Sequence, residues 1–185
     1  MILSDREIGV ALDVGQLIIK PAPPIDAYSS TTVDLTLDSR ASKWKDTSGG
    51  GTVTTFFPGS KSYKYTDVVA GFSESVDLGR GDFVLKPSHF LLGWTREYVE
   101  LPPSSRLAAR VEGKSSMARI GIGVHITAPT IHAGFKGQIQ LEIYNHSTLH
   151  ICLQPGMPIC QLILEQTFGT PSAGYKGMFA GQKSA

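Results

Sequence analysis

Residues 112–145 read EGKSSMARIGIGVHITAPTIHAGFKGQIQLEIYN, a stretch in which short apolar runs alternate with glycine-marked turns. Two of these glycines bracket residues 115–120, which are predicted to form a single turn of helix. Residues 133–137 are predicted to form a hairpin turn that leads into a strand at 138–144. Short strands joined by tight turns are typical of a mainly β domain.

The rest of the chain also consists mostly of short apolar runs separated by turn residues. Ser4 and Glu7 have the spacing of a capping box, which predicts a short helix over residues 4–14. The glycine- and serine-rich segment 46–62 is predicted to be a loop or hairpin, and 169–185 a flexible tail. Apolar residues that alternate or cluster between turn residues predict further strands at 17–19, 33–37, 83–85, 89–100, 107–111, 149–153 and 159–166. We therefore expect a single mainly β domain, a barrel or a sandwich, with a helix at its start.

The composition excludes several classes of protein. The chain has 185 residues, of which 41% are hydrophobic, which suits one globular domain. A net charge of +1 provides no general attraction to nucleic acid or to membranes, so neither is an expected partner. The sequence has no apolar run of membrane-spanning length and no secretory signal pattern. Cys152 and Cys160 lie in apolar runs and are predicted to be buried thiols of a cytoplasmic protein.

Lys114, Ser115, Ser116 and Arg119 are candidates for binding phosphate. Hydroxyl groups, cations and backbone N–H groups at a turn are the groups that hold phosphate oxygens in proteins. The serines are also expected to cap the short helical turn, and Arg119, one turn further on, can point back to the same place. The same residues also fit an ordinary turn with a solvated basic side chain, and their spacing does not choose between the two interpretations.

Glu142 is the candidate for acid–base chemistry. In the strand at 138–144, apolar residues occupy one parity, and Gln138, Gln140, Glu142 and Tyr144 occupy the other. A solvated sheet face explains this pattern. If the face lines a cleft instead, burial will raise the pKa of Glu142, which suits a proton shuttle. Together with the candidate phosphate-binding residues at 114–119, this acid indicates chemistry on a nucleotide.

No metal site is predicted. The histidines show none of the spacings that bind a metal ion, and the two cysteines do not form a Cys-x-x-Cys pair. Each histidine is interpreted as a surface residue or a core residue with satisfied hydrogen bonds. The histidines considered are His125, His132, His146 and His150.

Several motifs, in the same order along the chain, resemble the dCTP deaminase family of the dUTPase-like superfamily. They leave only residues 40–80 and the tail poorly matched. Because several linked motifs match in order, the resemblance is far more specific than a single glycine pattern. The matching segments are Met1–Asp5, Pro21–Leu37, Gly113–Gly121, His125–Ala128, Ala133–Gly137, Leu141–Asn145 and Pro155–Met157.

The resemblance implies a fold and an activity. The fold is a distorted dUTPase-like β-barrel (a β-clip) over residues 1–185, assembled as a homotrimer with active sites shared between subunits. The activity is hydrolysis of dCTP to dUTP and ammonia without zinc, with Mg²⁺ carried by the triphosphate. The resemblance also suggests dTTP as a feedback inhibitor and residues 169–185 as a lid over the nucleotide.

The resemblance also assigns roles to residues. Glu142 would activate the water, with Ser115 and Arg119 beside it as the other catalytic residues. Thr127 and Ala128 would shape the base pocket, and Gln140 and Leu141 would meet the base edge. The full set expected to bind substrate is Lys114, Ser115, Ser116, Met117, Ala118, Arg119, Thr127, Ala128, His132, Gln140, Leu141, Glu142, Gln161, Tyr175 and Gln182.

Alternatives remain at the level of the product. A dUTP diphosphatase, or a bifunctional enzyme that yields dUMP, belongs to the same superfamily. Relatives that hydrolyse dUTP carry an aspartate where this chain has His132, so we expect little release of pyrophosphate. A nucleotide-binding regulator without catalysis is a further alternative, and a purely structural β-trimer would leave Glu142 and the Lys114–Arg119 segment unexplained.

Overall fold

The computed structural model describes residues 1–46, 54–81, 83–177, 179 and 181–182. Part of the predicted loop at 46–62, namely residues 47–53, lies outside the described residues. Within them the helices are α1 (Asp5–Asp13), α2 (Tyr65–Phe72) and α3 (Ser115–Arg119). The strands are β1 (Ile18–Lys20), β2 (Tyr28–Ser29), β3 (Thr32–Thr36), β4 (Arg40–Trp44), β5 (Ser73–Asp77), β6 (Phe83–Leu85), β7 (Phe90–Glu100), β8 (Leu107–Gly113), β9 (Ile122–Gly123), β10 (Lys136–Asn145), β11 (Ile151–Leu153) and β12 (Pro158–Gln166). Strands dominate, so the predicted mainly β class is confirmed.

The strands form three antiparallel sheets. The largest has the order β5-β4-β7-β10-β9, and β1 pairs with the C-terminal end of β7. The second has the order β2-β3-β12-β8, and the third consists of β11 and β6. Strands that are neighbours in space are mostly distant in sequence, so the sheet order depends on tertiary pairing.

Side chains from the three sheets and from α1 pack into one apolar core. β10 contributes Leu141 and Ile143, which are fully buried, while Glu142 and Tyr144 on its other face are only partly buried. This alternation agrees with the predicted two-faced strand. The largest fully buried side chains are Ile8, Leu17, Leu35, Leu37, Leu78, Leu85, Leu91, Leu101, Ile122, Leu141, Ile143 and Leu153.

The first helix begins where its capping box predicts. The Ser4 N–H donates to the Glu7 carboxylate at 3.2 Å, which satisfies one of the free donors at the start of the helix. Ile8 and Ala11 are buried and attach α1 to the core. No helix in the described part of the chain is long and apolar enough to cross a membrane.

The second helix was not predicted. Its sequence, YTDVVAGF, contains three β-branched residues, which favour strands, and the residue before it, Lys64, supplies no capping hydrogen bond. The helix is instead attached to the end of β4. The Lys45 N–H donates to the Phe72 carbonyl at 2.8 Å, and the Lys45 Nζ donates to the Gly71 carbonyl at 2.9 Å.

Residues 133–137 turn the chain, but they do not join two paired strands as a hairpin would. Before the turn, Ile131 bridges to Ala109 of β8. After it, β10 pairs with β7, starting at Lys136 opposite Glu100. The turn therefore carries the chain from one sheet to another, and the hairpin prediction is wrong.

A β-bulge interrupts the pairing of β10 with β7 between Gln138 and Gln140. The strand was predicted to place Gln138 on the same face as Gln140. Instead Gln138 is buried, and its Nε2 donates to the Thr95 carbonyl at 2.8 Å and to the Asp38 carboxylate at 3.0 Å. Ile139 lines the same cavity as Gln140, because a bulge breaks the regular alternation of side chains.

Candidate active site

A cavity of about 420 Å³ opens over the face of β10 that carries Gln140 and Glu142. The loop before β10 contributes Ala128 and His132, and the C-terminal tail contributes Tyr175 and Gln182. Six residues predicted for the substrate site therefore line one cavity, although they come from three separate segments of the chain.

The Glu142 carboxyl group lies between this cavity and a second one of about 460 Å³, which His125, Ile126 and His146 help to line. Its Oε2 is buried and accepts no hydrogen bond from the described residues, and the Nδ1 of His125 is buried in the same way without a partner. Buried polar atoms in proteins almost always have hydrogen-bond partners. An unpartnered carboxylate oxygen between two cavities therefore indicates a binding position for a water molecule or a polar group of a ligand.

Burial raises the pKa of the Glu142 carboxyl group, because removal from water disfavours the charged form. Two smaller effects oppose this one: the Ile126 N–H donates a hydrogen bond to the carboxylate, and the nearby His125 favours a negative charge. Burial outweighs both. A carboxyl group whose pKa is raised holds a proton more readily than an ordinary glutamate, which suits a general acid–base catalyst.

Replacing Glu142 with glutamine is expected to raise the free energy of unfolding at neutral pH. The carboxyl group has a higher pKa in the folded chain than its ordinary value of 4.5, so the folded chain binds more protons in the interval between the two values. Its contribution to stability is therefore full below the ordinary value and is lost as the pH rises through the folded-state pKa. Urea unfolding of both proteins at a series of pH values will measure the difference.

The control for this experiment is Glu74→Gln, the same chemical change at a glutamate whose side chain is 46% exposed and lies outside both cavities. It should leave the pH dependence of unfolding unchanged. If the wild type and Glu142→Gln lose stability in parallel between mildly acidic and neutral pH, the pKa of Glu142 is not raised.

One edge of β10 is open beside Glu142. The Asn145 N–H donates to the carbonyl of His89, just before β7, at 3.2 Å. Backbone groups of successive residues point to opposite edges of a strand, so those of Gln140 and Glu142 point away from β7. The tail pairs with this edge at Gln138, whose N–H donates to the Gln182 carbonyl at 3.1 Å. The Gln182 side-chain amide donates back to the Gln138 carbonyl at 3.0 Å. Gln140 has no backbone partner on this edge within the described ranges, so its N–H and C=O are available to a ligand.

Two glycines make room for the tail. A Cβ atom on Gly134, where φ is +89°, would lie 2.5 Å from the Tyr175 nitrogen, and one on Gly137 would lie 2.5 Å from the Gln182 oxygen. A larger residue at either position would push the tail away. The Tyr175 ring stacks on the His132 ring with centroids 5.4 Å apart and an angle of 27° between the planes. The described tail residues thus lie across one side of the cavity.

The residues predicted to bind phosphate lie outside both cavities at Glu142. Ser115, Ser116 and Arg119 form part of α3, are exposed, and line neither of the cavities that Glu142 contacts. Lys114 occupies the N-cap position and no side chain caps this helix, so the predicted serine cap is wrong. No carboxylate among the residues that the structure describes pairs with Arg119, which leaves its guanidinium group available.

Lys114 and Gln161 belong to a polar cluster on the second sheet. The Lys114 ammonium group pairs with the Asp34 carboxylate, and both side chains are largely buried, with exposures of 22% and 15%. The Gln161 Nε2 donates to Asp34 at 3.0 Å and to the Thr32 hydroxyl at 3.1 Å. β12 lies between β3 and β8, so the sheet joins residues about eighty positions apart in the chain.

Four other residues predicted for the substrate site line neither cavity at Glu142. Leu141 points into the core and is fully buried. Thr127 and Ala118 are exposed, and Met117 packs against the core. In the described ranges, no group of three or more His, Cys, Asp or Glu side chains is arranged to hold a metal ion.

The cavity is also lined by residues that were not predicted for the site, among them Trp44, Tyr65, Phe90, Leu92 and Phe179. Tyr65 packs edge-to-face on Phe179, with ring centroids 5.8 Å apart. Burial, and to a lesser extent the charge of Glu142, raises the pKa of Tyr65, so its phenol remains protonated. No local pattern distinguishes these apolar residues from core residues. The pairing of β4, β7 and β10 brings Trp44, Phe90 and Leu92 to Glu142, whereas Tyr65 comes from α2 and Phe179 from the tail.

A comparison with known proteins identifies the family. A family model described as dCTP deaminase-like matches residues 2–167. The chain is 35% identical over 175 residues to a protein of Methanobrevibacter smithii named dCTP deaminase, dUMP-forming, a match that covers 92% of this chain and 82% of the relative. It is also 35% identical over 176 residues to a protein of Pectobacterium atrosepticum named dCTP deaminase, with 95% and 89% covered.

Among solved structures, the fold is similar to that of 2′-deoxycytidine 5′-triphosphate deaminase from Agrobacterium tumefaciens, with a TM-score of 0.67 and 24% identity. That match covers 89% of this chain and 48% of the other, so this chain spans about half the length of that structure. At this identity the likeness concerns the fold alone. The family model and the named relatives cover most of this chain, and we conclude that the chain belongs to the dCTP deaminase-like family.

Proposed function

We propose that this chain catalyses the hydrolytic deamination of dCTP to dUTP and ammonia. The observation that carries this proposal is the Glu142 carboxyl group, which is half-buried, has a raised pKa, and presents an unpartnered oxygen between two cavities. Membership of the dCTP deaminase-like family supports the choice of substrate.

Glu142 acts as the proton shuttle in this proposal. Its carboxylate takes a proton from water while the oxygen forms a bond to C4 of the cytosine, and the proton passes to N3. In the resulting tetrahedral intermediate, a second proton, from the new hydroxyl group, moves through Glu142 to the 4-amino group. The C–N bond then breaks and ammonia leaves, which restores the carboxylate. Positioned proton transfer of this kind typically accelerates a reaction about 10²–10⁴-fold.

The open edge of β10 suits the base, and the Arg119 cation of α3 suits the phosphates. The N–H and C=O groups of Gln140 offer one donor and one acceptor beside Glu142, and a pyrimidine edge carries complementary groups. Ser116 and Arg119, which are exposed on α3, are proposed to hold the triphosphate, which brings Mg²⁺ with it as part of the substrate. The Lys114 ammonium group pairs with Asp34, so it joins them only by exchanging that partner for a phosphate oxygen.

The proposed enzyme is a homotrimer of distorted β-barrel protomers, with residues 169–185 as a lid and with sites shared between copies. Within the described part of one chain, no lysine or arginine lines the cavity at Glu142. A triphosphate in that cavity needs cations, and a second copy can supply them from the exposed Arg119 of its α3. Ile126 and Ile120 are 58% and 41% exposed near these segments, and an interface between copies would bury such apolar surface.

The expected product is dUTP, because His132 replaces the aspartate of relatives that hydrolyse dUTP, and an imidazole is a weaker and differently shaped acceptor than a carboxylate. The second candidate product is dUMP, which is favoured by the name of the Methanobrevibacter smithii relative, dCTP deaminase, dUMP-forming. Incubation with dCTP and magnesium, followed by separation of the nucleotides, distinguishes them. We expect dUTP and ammonia to accumulate together, with little pyrophosphate.

His132→Asp is the informative variant, because it is expected to increase pyrophosphate release while ammonia release continues. His150→Asp, the same change at an exposed histidine outside the cavity, serves as the matched control. Pyrophosphate release that equals ammonia release in the wild type would replace dUTP with dUMP as the product. Tight binding of dCTP without ammonia release would make the protein a nucleotide-binding regulator instead of an enzyme.

A further inference from the structure

The surroundings of Glu142 differ between its two sides. Toward β9 the neighbours are polar, since the Ile126 N–H donates to the carboxylate and His125 lies nearby. Toward β7 they are apolar, because Leu92 lies directly opposite Glu142 in the strand register, and Phe90 is the next residue of β7 on the same face. The carboxyl group therefore lies at a boundary between a polar and an apolar compartment.

The apolar side forms a continuous surface, which we call the aromatic shelf and define as Leu92, Phe90, Trp44, Tyr65 and Phe179. All five line the cavity. β4 extends the surface beyond β7, because its residue 42 lies opposite Leu92 and Trp44 follows two positions later on the same face. Tyr65 and Phe179 complete the shelf, with their rings 5.8 Å apart at 81°.

The shelf has enough order to form a binding surface. Leu92 is only 5% exposed, so its position is determined by packing. Trp44 and Phe179, which are 38% and 43% exposed, form the outer part of the shelf. A small apolar group placed between these residues and Leu92 would remove apolar surface from water on both sides, which stabilises binding.

The chemistry of cytosine determines which part of the base faces the shelf. O2, N3 and the 4-amino group form a polar edge, whereas C5 and C6 carry only hydrogen. C4, the atom that water attacks, lies between N3 and C5. With C4 at Glu142, placing N3 and O2 against Leu92 and Phe90 would bury acceptors without partners, which costs about 1–3 kcal/mol for each group. The base therefore places C5 on the shelf.

We propose that the aromatic shelf accommodates an apolar substituent at C5, so that the enzyme also deaminates 5-methyl-2′-deoxycytidine triphosphate. This inference rests on the proposed function and deepens it by widening the substrate class to 5-substituted deoxycytidine triphosphates. The reaction follows the same steps as with dCTP: water adds to C4, the C4–N bond breaks, and ammonia leaves. The product of the methylated substrate is thymidine triphosphate.

The test measures kcat/KM for ammonia release from dCTP and from 5-methyl-dCTP with the full-length chain and magnesium. An apolar pocket discriminates about 10-fold or more for one buried methyl or methylene group. We therefore expect kcat/KM for 5-methyl-dCTP to equal that for dCTP or to exceed it by up to about 10-fold. A value more than about 10-fold below that for dCTP would overturn the inference, because it would mean that the methyl group clashes.

Leu92→Phe is expected to fill the space next to C5 and to lower the ratio of kcat/KM for 5-methyl-dCTP to that for dCTP by about 10-fold. The matched control is Leu149→Phe, the same change at a leucine that is 55% exposed and lies outside the cavity. It should leave the ratio at the wild-type value. A folded Leu92→Phe protein with an unchanged ratio would contradict the assignment of the shelf.

Because Leu92 is buried, overpacking could unfold that variant, so a second variant tests the outer part of the shelf. Trp44→Ala removes a partly exposed ring and should admit 5-propynyl-dCTP, with a gain of about 10-fold in kcat/KM relative to dCTP. An unchanged relative rate for this nucleotide would contradict the inference. Ammonia from dCTP with none from 5-methyl-dCTP would overturn the inference alone, whereas ammonia from neither nucleotide would overturn the proposed function with it.

Discussion

Glu142→Gln is expected to lower kcat for ammonia release from dCTP by about 10²–10⁴-fold, the usual contribution of a positioned general acid–base group. Glutamine has almost the same shape as glutamate and can still accept the hydrogen bond from the Ile126 N–H, but it cannot take a proton from water. The KM for dCTP should change much less than kcat, because the contacts that hold the nucleotide are retained.

The matched control for this loss is Glu74→Gln, in which the altered side chain is exposed and pairs with Lys43 on the outer part of the sheet. Its kcat should stay within about twofold of the wild type, since exposed ion pairs contribute little. A Glu142→Gln protein that retains near-normal turnover would remove Glu142 from the mechanism. The stability measurement described above separates loss of catalysis from loss of folding, since this variant should be more stable at neutral pH.

Arg119→Ala is expected to lower kcat/KM for dCTP by about 10–100-fold, because a charged hydrogen bond to phosphate is lost. Arg119 is exposed and lies outside both cavities at Glu142, so the proposed trimer requires the two residues to come from different copies. A mixed trimer of Glu142→Gln and Arg119→Ala chains then contains one interface in which both groups are intact. Such a trimer should recover about a third of the wild-type activity.

This complementation is measured by coexpressing the two variants with different affinity tags and purifying trimers that carry both. The control pairs the Glu142→Gln chain with a chain that carries both substitutions. It should remain inactive, because no intact Glu142 is present. Mixed trimers without recovered activity would mean that Arg119 and Glu142 do not serve the same site across an interface, and the shared-site proposal would then be wrong.

Local patterns predicted those elements that are specified by nearby residues. The capping box at Ser4 and Glu7 predicted the start of α1, because the groups that satisfy the helix start are three residues apart. The alternation of Leu141, Glu142 and Ile143 predicted which side of β10 enters the core. The α2 helix was missed because its β-branched sequence favours a strand, and its contacts to Lys45 come from a distant segment.

The same distinction between nearby and distant contacts applies to the site residues. The motifs identified Glu142, Gln140 and His132, and the structure brings these three to one cavity. The motifs did not indicate that Lys114 would pair with Asp34, because an ion pair across eighty residues leaves no local signal. The β-bulge that buries Gln138 and turns Ile139 toward the cavity also depends on the partner strand.

The sequence by itself therefore determined the mainly β class and the family motifs, and it singled out Glu142 as the acid proposed for proton transfer, since each depends on residue type and short-range spacing. Only the tertiary structure decided that Glu142 would be half-buried, that Leu92 would face it, and that α3 would lie outside its cavity. Burial and strand register depend on which distant segments pack together. A pattern of neighbouring residues carries no direct information about that packing.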